Sequence, residues 1–496
     1  MSSNVDRHRE IAEGEITVVQ LPTGADAKAS FLSKLQHALQ AGGTLGALVP
    51  AHAQDVYWVP QVVERVLRER LRLDDSAWDT RLRTWGALAV NQLTRDAAFH
   101  VLQRGAVVID GKLIGTDKVA VTTASPGVRN GKSMKMLPRD FQGPYDWHLD
   151  ERGANVVEAW RLFASVSRFQ SALPWIDLRV GHIDTGYTEH AALAWEGGSS
   201  STVRVSEGHD YWDNPKKPHA WDDPRDAWLP GFPGHGTRIS GAISGFAVGL
   251  SHQPFFGAAP GVGIVPLRVT DSVIVDHRKR EIALAITRAV ESGCHVINIS
   301  LGALFGSRKL ADALDFAYER GVIVVCAAGQ VWGEVIYPGR YNRCVTMGGV
   351  GPGLKPWRSA ARGQYVDLCG PADHIRRLKA ESLPPGTAAQ EILSKADGDG
   401  TSYATATCSG VAALWLAWHG IDALKDRYGA RGLWCLPAAF KKLARQTATP
   451  GGWSESEQGL YGSGVINAGT LLAAPLPTPE ELVKARLAAD VFDPFD

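Results

Sequence analysis

The sequence lacks an excess of charge of either sign and lacks a long apolar run. It has 52 Lys and Arg residues against 52 Asp and Glu residues, so its charge favours neither nucleic acid nor an anionic membrane as a partner. No window is apolar over the roughly 20 residues that a membrane helix needs. The N-terminal stretch MSSNVDRHREIAEGE also lacks the apolar segment of a secretory signal. We therefore expect a protein that stays in the cytoplasm, or leaves it by a route that needs no such signal, with no nucleic-acid or membrane partner.

Cysteine pairs at metal-binding spacings are missing too. Several of the six cysteines lie in apolar runs such as VIVVCAAG, which is typical of buried free thiols rather than of a disulfide framework. We therefore predict buried free thiols, with a disulfide framework as the less favoured alternative, for the six cysteines Cys294, Cys326, Cys344, Cys369, Cys408 and Cys435.

The chain of 496 residues is long enough for two or three domains. Residues 1–14 are polar and are predicted to be flexible. Residues 15–125 mix strand-like and helical patterns and predict a small N-terminal α/β domain. Residues 126–145 are rich in Gly, Pro and basic residues and predict a linker. We predict a larger domain over residues 146–475 and an acidic C-terminal tail over residues 476–496.

Short, continuously apolar runs alternate with helical stretches in the larger domain. The runs LRVGHIDTG, GIVPLRV, CHVINISLG and GVIVVCAAG are typical of strands, and REIALAITRAVESG and KLADALDFAYERG are typical of helices. Continuous hydrophobicity predicts strands that are covered on both faces. The sequence therefore predicts an α/β fold with a doubly wound parallel sheet, whose ligand site lies at the carboxyl ends of the strands.

Three segments place a reactive side chain within two residues of a glycine, at the end of a strand or at the start of a helix. Asp184 ends the strand of VGHIDTG, His235 opens the helical run of PGHGTRISG, and Ser402 opens the apolar helix of GDGTSYATATCSG. A serine hydroxyl becomes a strong nucleophile when an imidazole takes its proton and a carboxylate orients that imidazole. These residue types predict acyl transfer by nucleophilic catalysis.

The three segments resemble the Asp, His and Ser signatures of the subtilase family, in that family's chain order. Further resemblance lies in DWHLDERGANVVEAW, VINISLG, YPGRYNRCVTMGGV and GLYGSGVINAGTLLAAP, so that it extends from about residue 146 to residue 474. The resemblance implies a subtilisin-like sheet and a serine endopeptidase that forms an acyl-enzyme on a protein or peptide substrate.

The resemblance also implies a role for each residue near the nucleophile. Ser402 is expected to be the nucleophile, His235 the general base, and Asp184 the residue that orients the imidazole. The backbone N–H of Ser402 is expected to bind the oxyanion with help from the hydroxyl of Thr401. Where the family usually has asparagine as the other oxyanion donor, this sequence has Gln330, which carries the same amide on one more methylene and predicts reduced or gated activity.

Two short segments are expected to bind the substrate on either side of the nucleophile. The first is expected to pair with an extended peptide, and the second to line the pocket for the residue before the scissile bond, with a preference for a medium-sized apolar side chain. Together these segments comprise Ser300, Leu301, Gly302, Ala327, Ala328 and Gly329.

Several alternatives stay open at this point. The N-terminal domain could be a removable prodomain that acts as an intramolecular inhibitor, or a permanent regulatory domain. No cofactor and no metal site are expected, although the acidic loop before His235 could hold a structural calcium ion. Besides a peptidase, the sequence is compatible with a degenerate subtilase that acts as a binding or scaffold protein, and with an esterase or transamidase using the same three residues.

Overall fold

The computed structural model describes residues 145–489 with gaps, and the backbone of three short segments before them, at 99–101, 106–109 and 112–114. The gaps are residues 167–168, 170–172, 189, 194, 197–198, 201, 213–233, 248–249, 251–252, 271, 276–277, 331–332, 381–397 and 458. The predicted flexible N-terminus, most of the predicted N-terminal domain and nearly all of the predicted linker lie outside the described residues.

The three short N-terminal segments form one small sheet. Its strands are β1 (Phe99–Val101), β2 (Ala106–Ile109) and β3 (Lys112–Ile114), and both pairings are antiparallel. The remainder of the α/β domain predicted over residues 15–125 stays a prediction.

A seven-stranded sheet organises the larger domain. Its strands run in the order β12-β11-β10-β9-β4-β8-β7, and every neighbouring pair is parallel. The two short strands β5 and β6 form a separate antiparallel pair. The strand bounds are β4 Arg179–Asp184, β5 Trp195–Glu196, β6 Ser199–Ser200, β7 His209–Asp210, β8 Gly263–Arg268, β9 Val296–Ile299, β10 Ile323–Ala327, β11 Cys344–Val350 and β12 Leu368–Pro371. The predicted parallel sheet and its four apolar strands are confirmed.

Helices cover both faces of this sheet, as a doubly wound fold requires. On one face α3 and α4 pack together, and on the other α2 and α5 pack together. The helix bounds are α1 Val156–Ser165, α2 His235–Ser244, α3 Lys279–Glu291, α4 Arg308–Glu319, α5 Thr401–His419, α6 Ile421–Tyr428, α7 Cys435–Gln446, α8 Ala468–Ala473 and α9 Pro479–Ala489.

Side chains that alternate along each strand build two cores. On β10, Ile323 and Val325 join the core beneath α2 and α5, whereas Val324 and Cys326 join the core beneath α3 and α4. Successive strand residues point to opposite faces, so a strand covered on both faces must be apolar throughout. This geometry explains the continuous apolar runs in the sequence.

The C-terminal segment is anchored to this domain. Helix α9 lies within the segment predicted as an acidic tail, and its Leu482 is fully buried. Just before the helix, the hydroxyl of Tyr428 donates a hydrogen bond to the carbonyl oxygen of Pro477 at 2.8 Å.

None of the helices in the described part of the chain has both the length and the hydrophobicity that spanning a membrane requires.

All six cysteines are free and buried, which confirms the thiol prediction. Burial raises the pKa of Cys294 to about 12 and the pKa of Cys435 to about 11. A thiol that stays protonated at neutral pH is a poor nucleophile, so these cysteines serve as small apolar core residues.

We expect His148 to make the folded domain sensitive to acid. The side chain is buried beside the ring of Phe256, and burial lowers the pKa of His148 to about 4 although Asp146 acts in the opposite direction. Between pH 6.5 and 4 the unfolded chain therefore binds more protons, so stability falls as the pH falls through this window. The pKa difference corresponds to about 3 kcal/mol in the free energy of unfolding.

Urea unfolding of His148→Asn and the wild type at pH 7.5 and pH 4 tests this expectation. The variant should lose less stability on acidification than the wild type. His374→Asn removes an exposed histidine and serves as the control, because it should retain the wild-type pH dependence. An equal loss of stability in all three proteins would contradict the assignment to His148.

Candidate active site

Three side chains from distant parts of the chain meet at the carboxyl edge of the sheet. Asp184 is the last residue of β4, His235 is the first residue of α2, and Ser402 lies in the first turn of α5. His235 Nδ1 lies 2.6 Å from Asp184 Oδ1, and His235 Nε2 lies 3.3 Å from Ser402 Oγ. The structure thus brings together the three residues that the sequence singled out.

Asp184 is fully buried and remains ionised. Burial alone would raise the pKa of Asp184, but the charge and the hydrogen bond of His235 outweigh this effect and hold the pKa below its usual range. The backbone N–H of Thr185 also donates to Asp184 Oδ1 at 2.8 Å. A buried carboxylate accepts a hydrogen bond from a neighbouring N–H, so His235 carries its hydrogen on Nδ1 and presents Nε2 to the serine.

The first turn of α2 is fixed to the end of β4 by contacts around Gly236. Its N–H donates to Thr185 Oγ1 at 2.9 Å, and its carbonyl oxygen accepts from His182 Nε2 at 3.0 Å. A Cβ at this position would overlap the carbonyl oxygen of Gly186. Glycine is therefore required here for the backbone to approach closely enough to hold His235 over Asp184.

Ser402 lies in the first turn of α5, and a glycine before this helix lets the chain turn sharply into it. The preceding Gly400 has φ 146°, a conformation that a residue with a Cβ rarely adopts. The hydroxyl of Ser402 has two acceptors at 3.3 Å, His235 Nε2 and the carbonyl oxygen of Ser300. Its backbone N–H lies in the first helical turn, where N–H groups have no acceptor within the helix.

Gln330 extends across the start of α5. The backbone N–H of Thr401 donates to Gln330 Oε1 at 3.0 Å, and the Thr401 hydroxyl lies 3.4 Å from the same oxygen. Because a backbone N–H can only donate, this contact fixes which end of the amide is the oxygen. The Nε2 end is therefore available as a donor, while the Thr401 hydroxyl is directed at Gln330.

The two predicted substrate-binding segments follow adjacent strands. Residues 300–302 come directly after β9, and residues 327–329 comprise the last residue of β10 and the two that follow it. The hydroxyl of Ser300 donates to the carbonyl oxygen of Ser402 at 3.3 Å. Since carboxyl ends of neighbouring parallel strands share one edge, both segments lie at the same edge as Asp184.

Comparison with known proteins is consistent with this arrangement. The sequence profile of the subtilase family matches residues 177–464, more than half of the chain. The chain belongs to the subtilase family. This membership places it in the class of subtilisin-like serine endopeptidases, and the match lies within the region that the sequence motifs indicated.

Individual relatives of this subtilase are distant. Thermostable alkaline protease from Halalkalibacterium halodurans is 26% identical over 59% of this chain and 66% of its own length. Subtilisin Savinase from Lederbergia lenta is 26% identical over 59% of this chain and 89% of its own length. A solved protease structure from Pseudoalteromonas arctica PAMC 21717 is 21% identical, covers 69% of this chain and 99% of that chain, and superposes with a TM-score of 0.48.

A buried polar network that reaches Asp184 was not predicted from the sequence. Ser409 donates to Asn298 Oδ1 at 2.9 Å, which turns the Asn298 amide nitrogen towards His182 Nδ1 at 3.2 Å. His182 therefore carries its hydrogen on Nε2, which lies 3.0 Å from the carbonyl oxygen of Gly236 and 3.9 Å from Asp184 Oδ2. Burial lowers the pKa of His182, so the imidazole is neutral at neutral pH.

One sequence signal could have indicated this network. His182 interrupts the apolar run of β4 two residues before Asp184, so both side chains point to the same face of the strand. A buried polar side chain needs hydrogen-bond partners, and those partners were to be expected near Asp184. Their identity depends on the sheet order, which places Asn298 of β9 beside β4.

The described residues provide no metal site. None of them form a group of three or more His, Cys, Asp or Glu side chains that could hold a metal ion. Most of the acidic loop considered for calcium, at residues 213–233, lies outside the described residues.

Proposed function

We propose that this subtilase hydrolyses peptide bonds within protein or peptide substrates through an acyl-enzyme on Ser402. The observation that carries the proposal is the hydrogen-bonded array Asp184–His235–Ser402 at the carboxyl edge of the sheet. Its order along the chain matches the order of the family signatures, and family membership supports the reaction class.

Acylation begins with proton transfer from Ser402 Oγ to His235 Nε2 as the oxygen attacks the carbonyl carbon of the substrate. The imidazolium that forms is stabilised by the ionised Asp184. His235 then donates the same proton to the amide nitrogen, the C–N bond breaks, and the amine leaves. Water attacks the ester with His235 as base, the bond from carbon to Ser402 Oγ breaks, and the proton returns to Ser402.

The oxyanion of each tetrahedral intermediate would be bound by the Ser402 N–H and by Gln330 Nε2. Both donors lie at the start of α5, where the helix dipole also favours negative charge. In this proposal Thr401 holds the oxygen end of the Gln330 amide at 3.0 Å and keeps its nitrogen end directed outwards. Thr401 therefore positions a donor instead of contacting the oxyanion itself.

Labelling with a fluorophosphonate probe tests the proposal directly. The probe should modify the wild type on Ser402, and Ser402→Ala should not react. Ser165→Ala removes an exposed serine hydroxyl at the end of α1 and serves as the matched control, because that hydroxyl donates to the carbonyl oxygen of Leu162 in its own helix. Mass spectrometry of the labelled peptide identifies the site.

The outcomes separate the alternative functions. A wild type that does not react with the probe would favour a binding or scaffold protein on a degenerate fold. A wild type that reacts but leaves every peptide of a peptide library uncut would favour an esterase or transamidase. Labelling of Ser165→Ala at the wild-type rate, together with cut peptides, supports the peptidase.

Further properties stay predictions from sequence. We propose that the N-terminal domain over residues 15–125 regulates the peptidase, either as an intramolecular inhibitor or as a permanent domain, because it directly precedes the catalytic region. We also propose that catalysis requires no cofactor. A structural calcium ion in the acidic loop stays an open alternative, and a cytoplasmic location stays a prediction from the sequence.

A further inference from the structure

Three backbone segments surround the space beside the Ser402 hydroxyl. We name this space the side-chain slot; its walls are residues 300–302 and 327–329, and its floor is residues 335–337. One wall contacts the nucleophile, because Ser402 Oγ lies 3.3 Å from the carbonyl oxygen of Ser300. The other wall continues into Gln330, whose Oε1 accepts from the N–H of Thr401 at 3.0 Å. The slot therefore opens next to the attacking oxygen.

The floor is hydrogen-bonded to one wall and to the residue that directly follows the other wall. The N–H of Ile336 donates to the carbonyl oxygen of Ala328 at 3.0 Å. On the other side, Tyr337 and Ala303 exchange two backbone hydrogen bonds of 2.8 Å each. These bonds fix the backbone of Ile336 between the walls, so the position of its side chain is set by the fold.

The side chain of Ile336 fills the narrow part of the slot. A Cβ placed on Gly302 would overlap Ile336 Cδ1 and lie 2.6 Å from Cγ1. A Cβ placed on Gly329 would lie 2.8 Å from Cδ1 and 2.9 Å from Cγ1. The same isoleucine atoms therefore lie close to both walls, and a β-branched side chain has little rotational freedom to move aside.

We propose that Ile336 limits the slot to small side chains, so that this peptidase cleaves after glycine, alanine or serine. The inference rests on the proposed function, because the residue before the scissile bond must lie over Ser402 and direct its side chain between the walls. A large side chain would have to displace the isoleucine from its contacts with both walls, and overpacking of this kind is costly. The wall residues alone predict a medium-sized apolar side chain before the scissile bond, whereas Ile336 restricts that side chain to a small one.

The test measures how fast Ser402 of the full-length chain reacts with two peptidyl diphenyl phosphonates. The reagents are identical except that the residue attached to phosphorus corresponds to alanine in one and to phenylalanine in the other. The wild type should react with the alanine reagent at least about tenfold faster. Ile336→Gly should accelerate the phenylalanine reagent on the order of 100-fold and change the alanine reagent by less than about fivefold.

Ile336→Val provides a second variant that preserves the β-branch. It removes Cδ1, the atom close to both walls, with little risk to folding, and should raise the phenylalanine rate by about tenfold. A fluorophosphonate without a peptide measures the reactivity of Ser402 independently of the slot and should react equally with all three proteins.

The outcomes distinguish a failure of this inference from a failure of the proposed function. Absence of fluorophosphonate labelling in the wild type would refute the proposed function. Fluorophosphonate labelling combined with equal rates for the two peptidyl reagents would refute only the role of Ile336. Labelling by the fluorophosphonate but by neither peptidyl reagent would refute it as well, because a slot open to alanine must admit that reagent.

Discussion

Replacing Asp184 by asparagine is expected to lower kcat for a peptide substrate by about 10⁴-fold. The carboxylate is the only charge that the proposed mechanism places against His235, and it is fully buried. When Ser402 loses its proton, the imidazolium would form in this buried site without a counter-charge, which is costly. KM should change little, because Asp184 does not contact the substrate.

The hydrogen bonds of Asp184 leave asparagine no favourable orientation. Oδ1 accepts from both His235 Nδ1 and the N–H of Thr185. An amide that retains its oxygen there would place its nitrogen at the Oδ2 position, 3.9 Å from the N–H of His182. The flipped amide would instead direct N–H groups at Nδ1 and Thr185, and would favour the tautomer with hydrogen on Nε2, which cannot accept the serine proton.

Steady-state kinetics of Asp184→Asn beside Asp367→Asn test this expectation. Asp367 is also a buried carboxylate, but it immediately precedes β12 and pairs with Lys441 at 2.8 Å. It therefore lies at the opposite edge of the sheet from Asp184. The control should retain kcat even if it lowers stability. A loss of less than about tenfold in Asp184→Asn would contradict the role assigned to the carboxylate.

The elements that hold the three reactive residues follow from local sequence. Asp184 ends a continuous apolar run, and such a run predicts a strand buried on both faces. Ser402 comes two residues after Gly400 and precedes an apolar stretch, which predicts the start of a buried helix. Parallel order then brings the carboxyl end of β4 and the helix starts to one edge, so their meeting could be anticipated before any distance was known.

The contacts that tune the site could not be anticipated in this way. Ile336 carries no reactive group and belongs to no motif that the sequence singled out. Its position between Gly302 and Gly329 depends on backbone hydrogen bonds to two separate loops. The orientation of the Gln330 amide likewise depends on Thr401, 71 residues away. The proposed specificity and the proposed oxyanion donor therefore depend on contacts between separate loops and not on any one motif.

Removing the amide of Gln330 is expected to lower kcat by about 10²–10³-fold in Gln330→Ala, with KM nearly unchanged. The oxyanion forms only in the transition state, so its donor contributes to turnover and not to substrate binding. The Thr401 N–H lies 3.0 Å from Gln330 Oε1 and leaves Nε2 as the donor. Glutamine is one methylene longer than the asparagine common in the family, and in the proposed mechanism the contact with Thr401 orients its amide.

Gln330→Glu separates the donor from the shape of the side chain. Glutamate has the same length and can still accept from Thr401, but an ionised carboxylate has no hydrogen to donate and would repel the oxyanion. Its kcat should therefore fall at least as far as that of Gln330→Ala. A glutamate variant as active as the wild type would show that the side chain only fills space, and Ser402 N–H would then be the one remaining donor in the proposed mechanism. The kcat of Thr401→Val should fall far less, because the hydrogen bond from the backbone N–H of residue 401 to Gln330 is retained.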